Sequence, residues 1–346
     1  MRFRIRILHV LLLCLCISKL NAQNAKQVLT IEKIVQLKTI SEVQISPDGN
    51  WVAYTVSEKD MKKDKTITRV YIISMSGGEA IAITSSDYSA SQPRWSPDNK
   101  YLSFLSKKDK DDKTQVWLSN RLGGDAEVLT KIPQGVNAHE WSPTENKLLL
   151  VITDPKPEEL TPDKEDDKKA KPYVIDRRQF KQDYVGYLDR YRNHIYSLIP
   201  GDSIPTQLTS GDFDDSDPIW SPDGKKIAFV SNRTADADGN SDTNIWVVSA
   251  DSSDKGANLV QVTTNPNQDD SPVWSPDGKY IAYKTVTNGK ILWYAGEKLA
   301  ISPALGGQKK VLTENLDRNI SKPKFSEDGK SVFFLLEENG TSVLAS

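Results

Sequence analysis

A short phrase built around Ser-Pro-Asp-Gly returns six times along the chain and constrains its fold more than any other feature. The copies are Ile45-Ser-Pro-Asp-Gly49, Trp95-Ser-Pro-Asp-Asn99, Trp141-Ser-Pro-Thr-Glu145, Trp220-Ser-Pro-Asp-Gly224, Trp274-Ser-Pro-Asp-Gly278 and Phe325-Ser-Glu-Asp-Gly329. From serine to serine the spacings are 50, 46, 79, 54 and 51 residues, so the unit is near fifty residues and one copy carries an insertion. Repeats of that length belong to solenoids, arrays or propellers.

The runs after the turns, such as Lys226-Ile-Ala-Phe-Val230 and Tyr280-Ile-Ala-Tyr283, are too short for helices and rich in β-branched and aromatic residues. They read as strands, and their lack of polar alternation predicts sheets covered on both faces. Pro presets φ and Asp favours the tight turn. Gly takes the left-handed position, so the phrase joins two antiparallel strands. A second pair follows, seen in Val70–Ile73, Val116–Leu118, Ile195–Leu198 and Ile245–Val248, and then a polar or Gly-rich turn leads to a short strand ending at Thr84, Thr130, Thr209 or Thr313. Four antiparallel strands per unit predict an all-β propeller of four-stranded blades over residues 23–346, about six units with the last one truncated. Asn99 is expected to tolerate the left-handed position. Glu145 replaces Gly in the third copy, which predicts a modified hairpin there, with Asn146 as the left-handed residue of a longer loop.

The amino terminus has three arginines, an apolar run from Ile7 to Ile17 interrupted by His9, and then Asn21-Ala22-Gln23. This is the pattern of a secretory signal peptide over residues 1–22, cut after Ala22, and it predicts an exported protein, periplasmic or secreted. A lipoprotein site at Cys14 or Cys16 is the weaker alternative, because Leu precedes each. Both cysteines fall in the leader, so the mature chain is expected to lack disulfides and thiol chemistry. The run is too short to span a membrane. Without the leader 41 basic and 47 acidic residues remain, which disfavours nucleic acid as a partner.

Hydrolytic chemistry needs a nucleophile, a base and a group that orients the base. No Gly-x-Ser-x-Gly segment occurs, and the mature chain has two histidines, His139 and His194, both beside predicted strands. No catalytic residue is therefore assigned. Two distant histidines without cysteine make no ordinary zinc site. Asp236-Ala-Asp-Gly-Asn240 with Asp242 has a superficial likeness to a calcium loop but lacks the outer carboxylates, and reads as a solvated hairpin tip. No phosphate-cradling loop occurs, so neither metal nor cofactor is expected.

The insertion divides in two. Residues 153–171 are Pro- and charge-rich and read as an exposed excursion, whereas residues 175–194 are dense in aromatics and arginine. Within the latter, Tyr184, Tyr187, Asp189, Arg190 and Arg192 are the candidates for lining a cavity or docking a second domain. A strand pair with a charged edge is the plainer alternative.

With these residues in view, the chain resembles the amino-terminal propeller of the prolyl oligopeptidase family of serine peptidases, in the acylaminoacyl-peptidase and bacterial dipeptidyl-peptidase branch. The resemblance rests on Leu29-Thr-Ile-Glu-Lys-Ile-Val-Gln-Leu37, on the repeated phrases, and on Gly186-Tyr-Leu-Asp189 leading into His194-Ile-Tyr196. It implies a partner α/β-hydrolase domain carrying the Ser, Asp and His, a region absent from this chain. It also implies short peptides as substrates, with the propeller narrowing access and walling the cavity. This chain alone is expected to be inactive. The paired glutamates with which some dipeptidyl peptidases grip a substrate amine have no match here. A non-catalytic periplasmic propeller that binds a protein or ligand is the alternative. Nothing in the residues specifies an oligomeric state.

Overall fold

The computed structural model describes residues 28–107, 113–121, 124–155, 175, 177–183, 185–188 and 190–346. The proposed leader, Tyr184, Asp189 and most of the charged excursion lie outside the described residues. The chain divides into two units. In the first, helix α1 (Ile31–Val35) is capped by Thr30, whose side chain accepts from the Lys33 amide, and Lys38 pairs with Glu58 at 2.7 Å.

The second unit, residues 40–56 and 68–346, holds the propeller apart from the ends of the first three strands of blade 1. The described residues form 25 strands, numbered β1 to β25 in chain order, arranged as six antiparallel blades and one separate two-stranded pair. Blades 1 to 5 (residues 39–82, 90–128, 138–207, 215–261 and 269–311) have four strands each, and blade 6 (320–345) has three. The insertion sits inside blade 3, between its second and third strands, and contains the separate pair β11 (Lys181–Gln182) and β12 (Gly186–Tyr187).

Consecutive blades pack face to face. Each of the five junctions has its own apolar core, from Leu102 and Phe104 with Val70 and Ile72 at the first to Leu299 and Phe334 at the last. This is why the second strands β6 (Tyr101–Ser106) and β16 (Lys226–Ser231) are buried almost continuously instead of on alternate residues. Tryptophans stitch neighbouring blades together. The indole N–H groups of Trp95, Trp220 and Trp274 donate to the carbonyls of Gln44, Glu140 and Ile219 at 3.3 to 3.4 Å, each on the first strand of the preceding blade.

The repeated phrase is a small hydrogen-bonded machine. In five copies the Ser hydroxyl donates to the Asp two residues on, at 2.5 to 2.7 Å, and accepts the amide five residues on. The same carboxylate oxygen accepts a further amide at 3.1 Å, and the residue after it takes the left-handed conformation, including Asn99 at φ +59°. In blade 3 Thr144 removes the carboxylate. The hairpin is modified there, as expected, but it is not longer: Ser142 still bonds across five residues to Lys147, Lys147 turns back to Glu145, and Asn146 stays out of the left-handed region. The hydroxyl of Ser142 organises the loop by accepting two local amides, so no extra residue is needed.

The threonines that end the fourth strands have a structural task. Thr84, Thr130, Thr209, Thr263 and Thr313 each accept, through the hydroxyl, a third-strand amide at 2.8 to 3.0 Å where the short fourth strand has stopped supplying carbonyls. A buried N–H left without an acceptor would cost about 1–3 kcal/mol.

Candidate functional site: a channel walled by six strands

The first strand of every blade is a sheet edge: β1 (Thr39–Ile45), β5 (Ala90–Trp95), β9 (Ala138–Trp141), β15 (Asp215–Trp220), β19 (Asp269–Trp274) and β23 (Ile320–Phe325). All six line one cavity of about 490 Å³. That is within the range of small-ligand sites.

In blades 2, 4, 5 and 6 the pairing of first and second strand slips within the first strand, and the bulge falls three residues before the aromatic of the repeated phrase. The residue there is left-handed although it is not glycine: Gln92 at φ +51°, Asp217 at +48°, Ser271 at +54° and Lys322 at +50°, with Glu42 at +52° in blade 1. Such backbone costs on the order of 1–3 kcal/mol per residue and concentrates at sites where it re-aims a side chain. Here it turns five polar side chains toward the channel. Pro follows in four of the five (Pro93, Pro218, Pro272 and Pro323), so the edge presents carbonyls without the matching N–H. The Pro two residues before Trp95, Trp220, Trp274 and Phe325 is a sequence signal that marks this wall and that the reading of the repeats passed over.

Blade 3 breaks the pattern. Strand β9 pairs without a bulge, and His139 stands where blades 2, 4, 5 and 6 have Pro. Its Nε2 lies 2.8 Å from the Ser103 hydroxyl, which also accepts the Trp141 indole N–H at 2.8 Å and reaches the Arg94 carbonyl at 3.1 Å. A serine beside a histidine invites a catalytic reading, which the surroundings refuse. Ser103 is wholly buried and, among the described residues, His139 Nδ1 has no hydrogen-bond partner and no carboxylate orients the ring. Burial first, and the Arg94 charge second, depress the His139 pKa to about 3 and hold the ring neutral.

Charge in the channel is partly paired. Arg94 Nε donates to Glu140 at 2.6 Å and its Nη1 to the Pro93 carbonyl at 2.9 Å. Enclosure by the surrounding strands raises the Glu140 pKa, with Arg94 opposing, although 38% of the side chain stays accessible to channel water. Glu42 accepts the Gln92 amide at 2.9 Å, and the Gln92 side chain donates to the Asn137 carbonyl at 3.0 Å. Lys284 reaches Asp270 at 3.1 Å and Glu297 at 2.7 Å. Asp217 has its pKa raised by burial and by the nearby Asp270, with Lys284 opposing.

The residues singled out in the insertion are elsewhere. Arg190 pairs with Asp212 at 3.3 Å, and Arg192 reaches Asp212 at 2.8 Å and Asp214 at 3.0 Å, which ties the root of the insertion to the loop before blade 4. Tyr187 is 55% exposed on β12, with the Lys181 ammonium 5.8 Å from its ring. Arg177 and Arg178 bind Asp238 and Asp236, so the loop with the superficial calcium likeness is held by guanidinium groups of the insertion. His194 lies between Asp154 Oδ2 at 2.6 Å and the Gly211 carbonyl at 3.0 Å; Tyr196 also donates to Asp154, and Gln207 does so at 3.0 Å. Among the described residues no group of three His, Cys, Asp or Glu side chains is arranged to hold a metal, and no helix is long and apolar enough to cross a membrane.

Comparison with known proteins agrees with this architecture. Residues 188–346 match the family model described as the TolB beta propeller domain. The chain is 28% identical over 224 residues to an uncharacterized peptidase, YuxL, of Bacillus subtilis, covering 64% of this chain and 34% of that protein. It is 25% identical over 336 residues to dipeptidyl-peptidase 5 of Porphyromonas gingivalis, covering 90% of this chain and 46% of that protein. Among solved structures, acylaminoacyl peptidase of Pyrococcus horikoshii superposes with a TM-score of 0.68 at 20% identity, over 90% of this chain and 44% of that one. The chain thus spans less than half the length of these relatives. It is a β-propeller related to the propeller domains of peptidases.

Proposed function

We propose that this chain is the propeller portion of an exported serine peptidase that acts on short peptides, and that it works by narrowing access to a hydrolase domain and forming part of the cavity wall. The observation that carries this reading is the channel: about 490 Å³, walled by edge strands from all six blades, lined by both polar and apolar groups, and large enough for a short extended peptide but not for a folded domain. Selection then follows from size and a few polar contacts. The curated relatives named as peptidases support it, and export rests on the leader-like residues 1–22.

The test is to express the whole gene product, establish whether its reading frame continues into an α/β-hydrolase, and measure kcat/KM over peptides of increasing length. The expected result is a sharp fall beyond short peptides and no cleavage of folded proteins. Absence of peptide hydrolysis in a complete gene product overturns the reading. It would favour the alternative, a non-catalytic binding propeller, for which the match of residues 188–346 to the TolB propeller model speaks.

Arg190, Arg192 and Tyr187, with Tyr184 and Asp189, are proposed as the docking surface for the hydrolase domain or as outer cavity wall. Alanine at Arg190 and Arg192 should lower peptide turnover or loosen the domains. Unchanged turnover and association would assign the two arginines to the Asp212 and Asp214 ion pairs alone.

A further inference from the structure

The five left-handed residues of the channel wall are not equivalent. Glu42, Gln92 and Ser271 spend their polar groups on the wall itself, on the Gln92 amide, the Asn137 carbonyl and the Asp270 carboxylate. Asp217 of blade 4 and Lys322 of blade 6 make no hydrogen bond or ion pair with any described residue, and both are exposed to the channel. One unpaired anion and one unpaired cation therefore face a single cavity, each held on backbone of unfavourable conformation. Arg94, in blade 2, adds a guanidinium whose Nε and Nη1 are engaged and whose Nη2 has no partner among the described residues. Around Asp217 the wall is poor in donors, since Pro218 and Pro272 remove N–H groups from the two adjoining edges.

Resting on the peptidase reading and going beyond passage or exclusion, we propose that the channel is itself a binding site for short zwitterionic peptides, with the free α-ammonium at Asp217 and the free α-carboxylate at Lys322 and Arg94 Nη2. A ligand carrying both charges satisfies both walls at once. Peptides blocked at either end leave one wall unpaired. The cavity has room for roughly sixteen waters at about 30 Å³ each, which suits a peptide of a few residues.

The experiment is calorimetric titration of this chain with triglycine, N-acetyl-triglycine and triglycine amide, in the wild type and in Asp217→Asn and Lys322→Gln. Triglycine should bind, and each blocked peptide should bind more weakly by up to about fivefold, the most that loss of one solvent-accessible charge pair supplies. Asp217→Asn should erase the difference between triglycine and its N-acetyl form while keeping the penalty for the amide. Lys322→Gln should do the reverse. Asn is well suited to left-handed backbone and both side chains are exposed, so the variants should fold, and circular dichroism checks this. Equal binding of free and blocked peptides, or no change in selectivity in a folded variant, overturns the proposal. If triglycine does not bind while the whole gene product still cleaves short peptides, the channel site is refuted and the peptidase reading stands. If it binds with the expected end-dependence while a complete gene product cleaves nothing, the peptidase reading fails and the site stands as a peptide receptor.

Discussion

At the scale of single residues, His139 shows how burial sets chemistry. His139 is closed off beside Ser103 and Arg94 and stays neutral, its pKa depressed to about 3 from an ordinary value near 6.5. Unfolding releases it to titrate normally, so the stability derived from a neutral ring is complete above about pH 6.5 and is lost progressively as pH falls toward 3. His139→Leu should flatten that part of the profile. It leaves the Ser103 hydroxyl bonded to Trp141 and the Arg94 carbonyl, so no new polar group is stranded. Urea denaturation at pH 7 and pH 4 decides the matter: a variant that loses as much stability as the wild type between the two would show that His139 does not govern the slope. The turn aspartates act at more acid pH. Asp48, Asp98, Asp223, Asp277 and Asp328 all have pKa values lowered, first by the Ser hydroxyl each accepts, so their contribution is complete above the ordinary carboxylate pKa and is lost as pH falls below it through the lowered folded values.

At the scale of elements, much of the blade could be read directly. The turn phrase located the joint between first and second strands because its bonds are local: Ser221 to Asp223, Asp223 to the Lys225 amide, Gly224 beyond. The Leu-Thr endings located the fourth strands, although the reason appears only in three dimensions, where the hydroxyl replaces a missing strand carbonyl. Thr209→Val tests this, since it keeps the shape of a fully buried side chain and removes the acceptor for the Ile195 amide, 2.9 Å away, together with a hydrogen bond to the Asp215 carboxylate, so exchange at the Ile195 amide is the readout specific to the strand ending. A loss of about 1–3 kcal/mol is expected, with faster hydrogen exchange at Ile195. A loss near zero would mean that the Leu208 amide bond to the Ile195 carbonyl suffices to hold the strands together. The third hairpin shows where local reading erred. The missing left-handed residue was expected to demand a longer loop, but a serine hydroxyl accepting two amides closed the same span.

At the scale of the whole molecule, the channel joins residues that are far apart in the chain. Arg94 of blade 2 and Glu140 of blade 3 are the clearest coupling across its wall. Arg94→Gln would leave the Glu140 carboxyl enclosed without its counter-charge and move its already raised pKa further up. The sign follows from the charge state. Below the ordinary carboxylate pKa, near 4.3, Glu140 is neutral folded and unfolded and the variant should resemble the wild type; as pH rises above it, the folded state must ionise an unpaired carboxyl and the variant should lose stability increasingly. Thermal unfolding from pH 4 to pH 8 measures this, and a constant difference across that range would show that Glu140 is well solvated by channel water.

The sequence by itself determined the all-β class, the unit of about fifty residues, the turn chemistry and the place of the insertion, because all of these depend on interactions within a few residues or within one repeat. It directed attention to the arginine- and tyrosine-rich insertion, since clustered side chains are conspicuous in a linear reading. Only the tertiary structure decided that Asp217, Lys322, Arg94 and Glu140 share a cavity. They lie tens to hundreds of residues apart, each looks like an ordinary edge-strand residue, and their convergence arises from packing six blades around one axis and from bulges that turn left-handed residues inward.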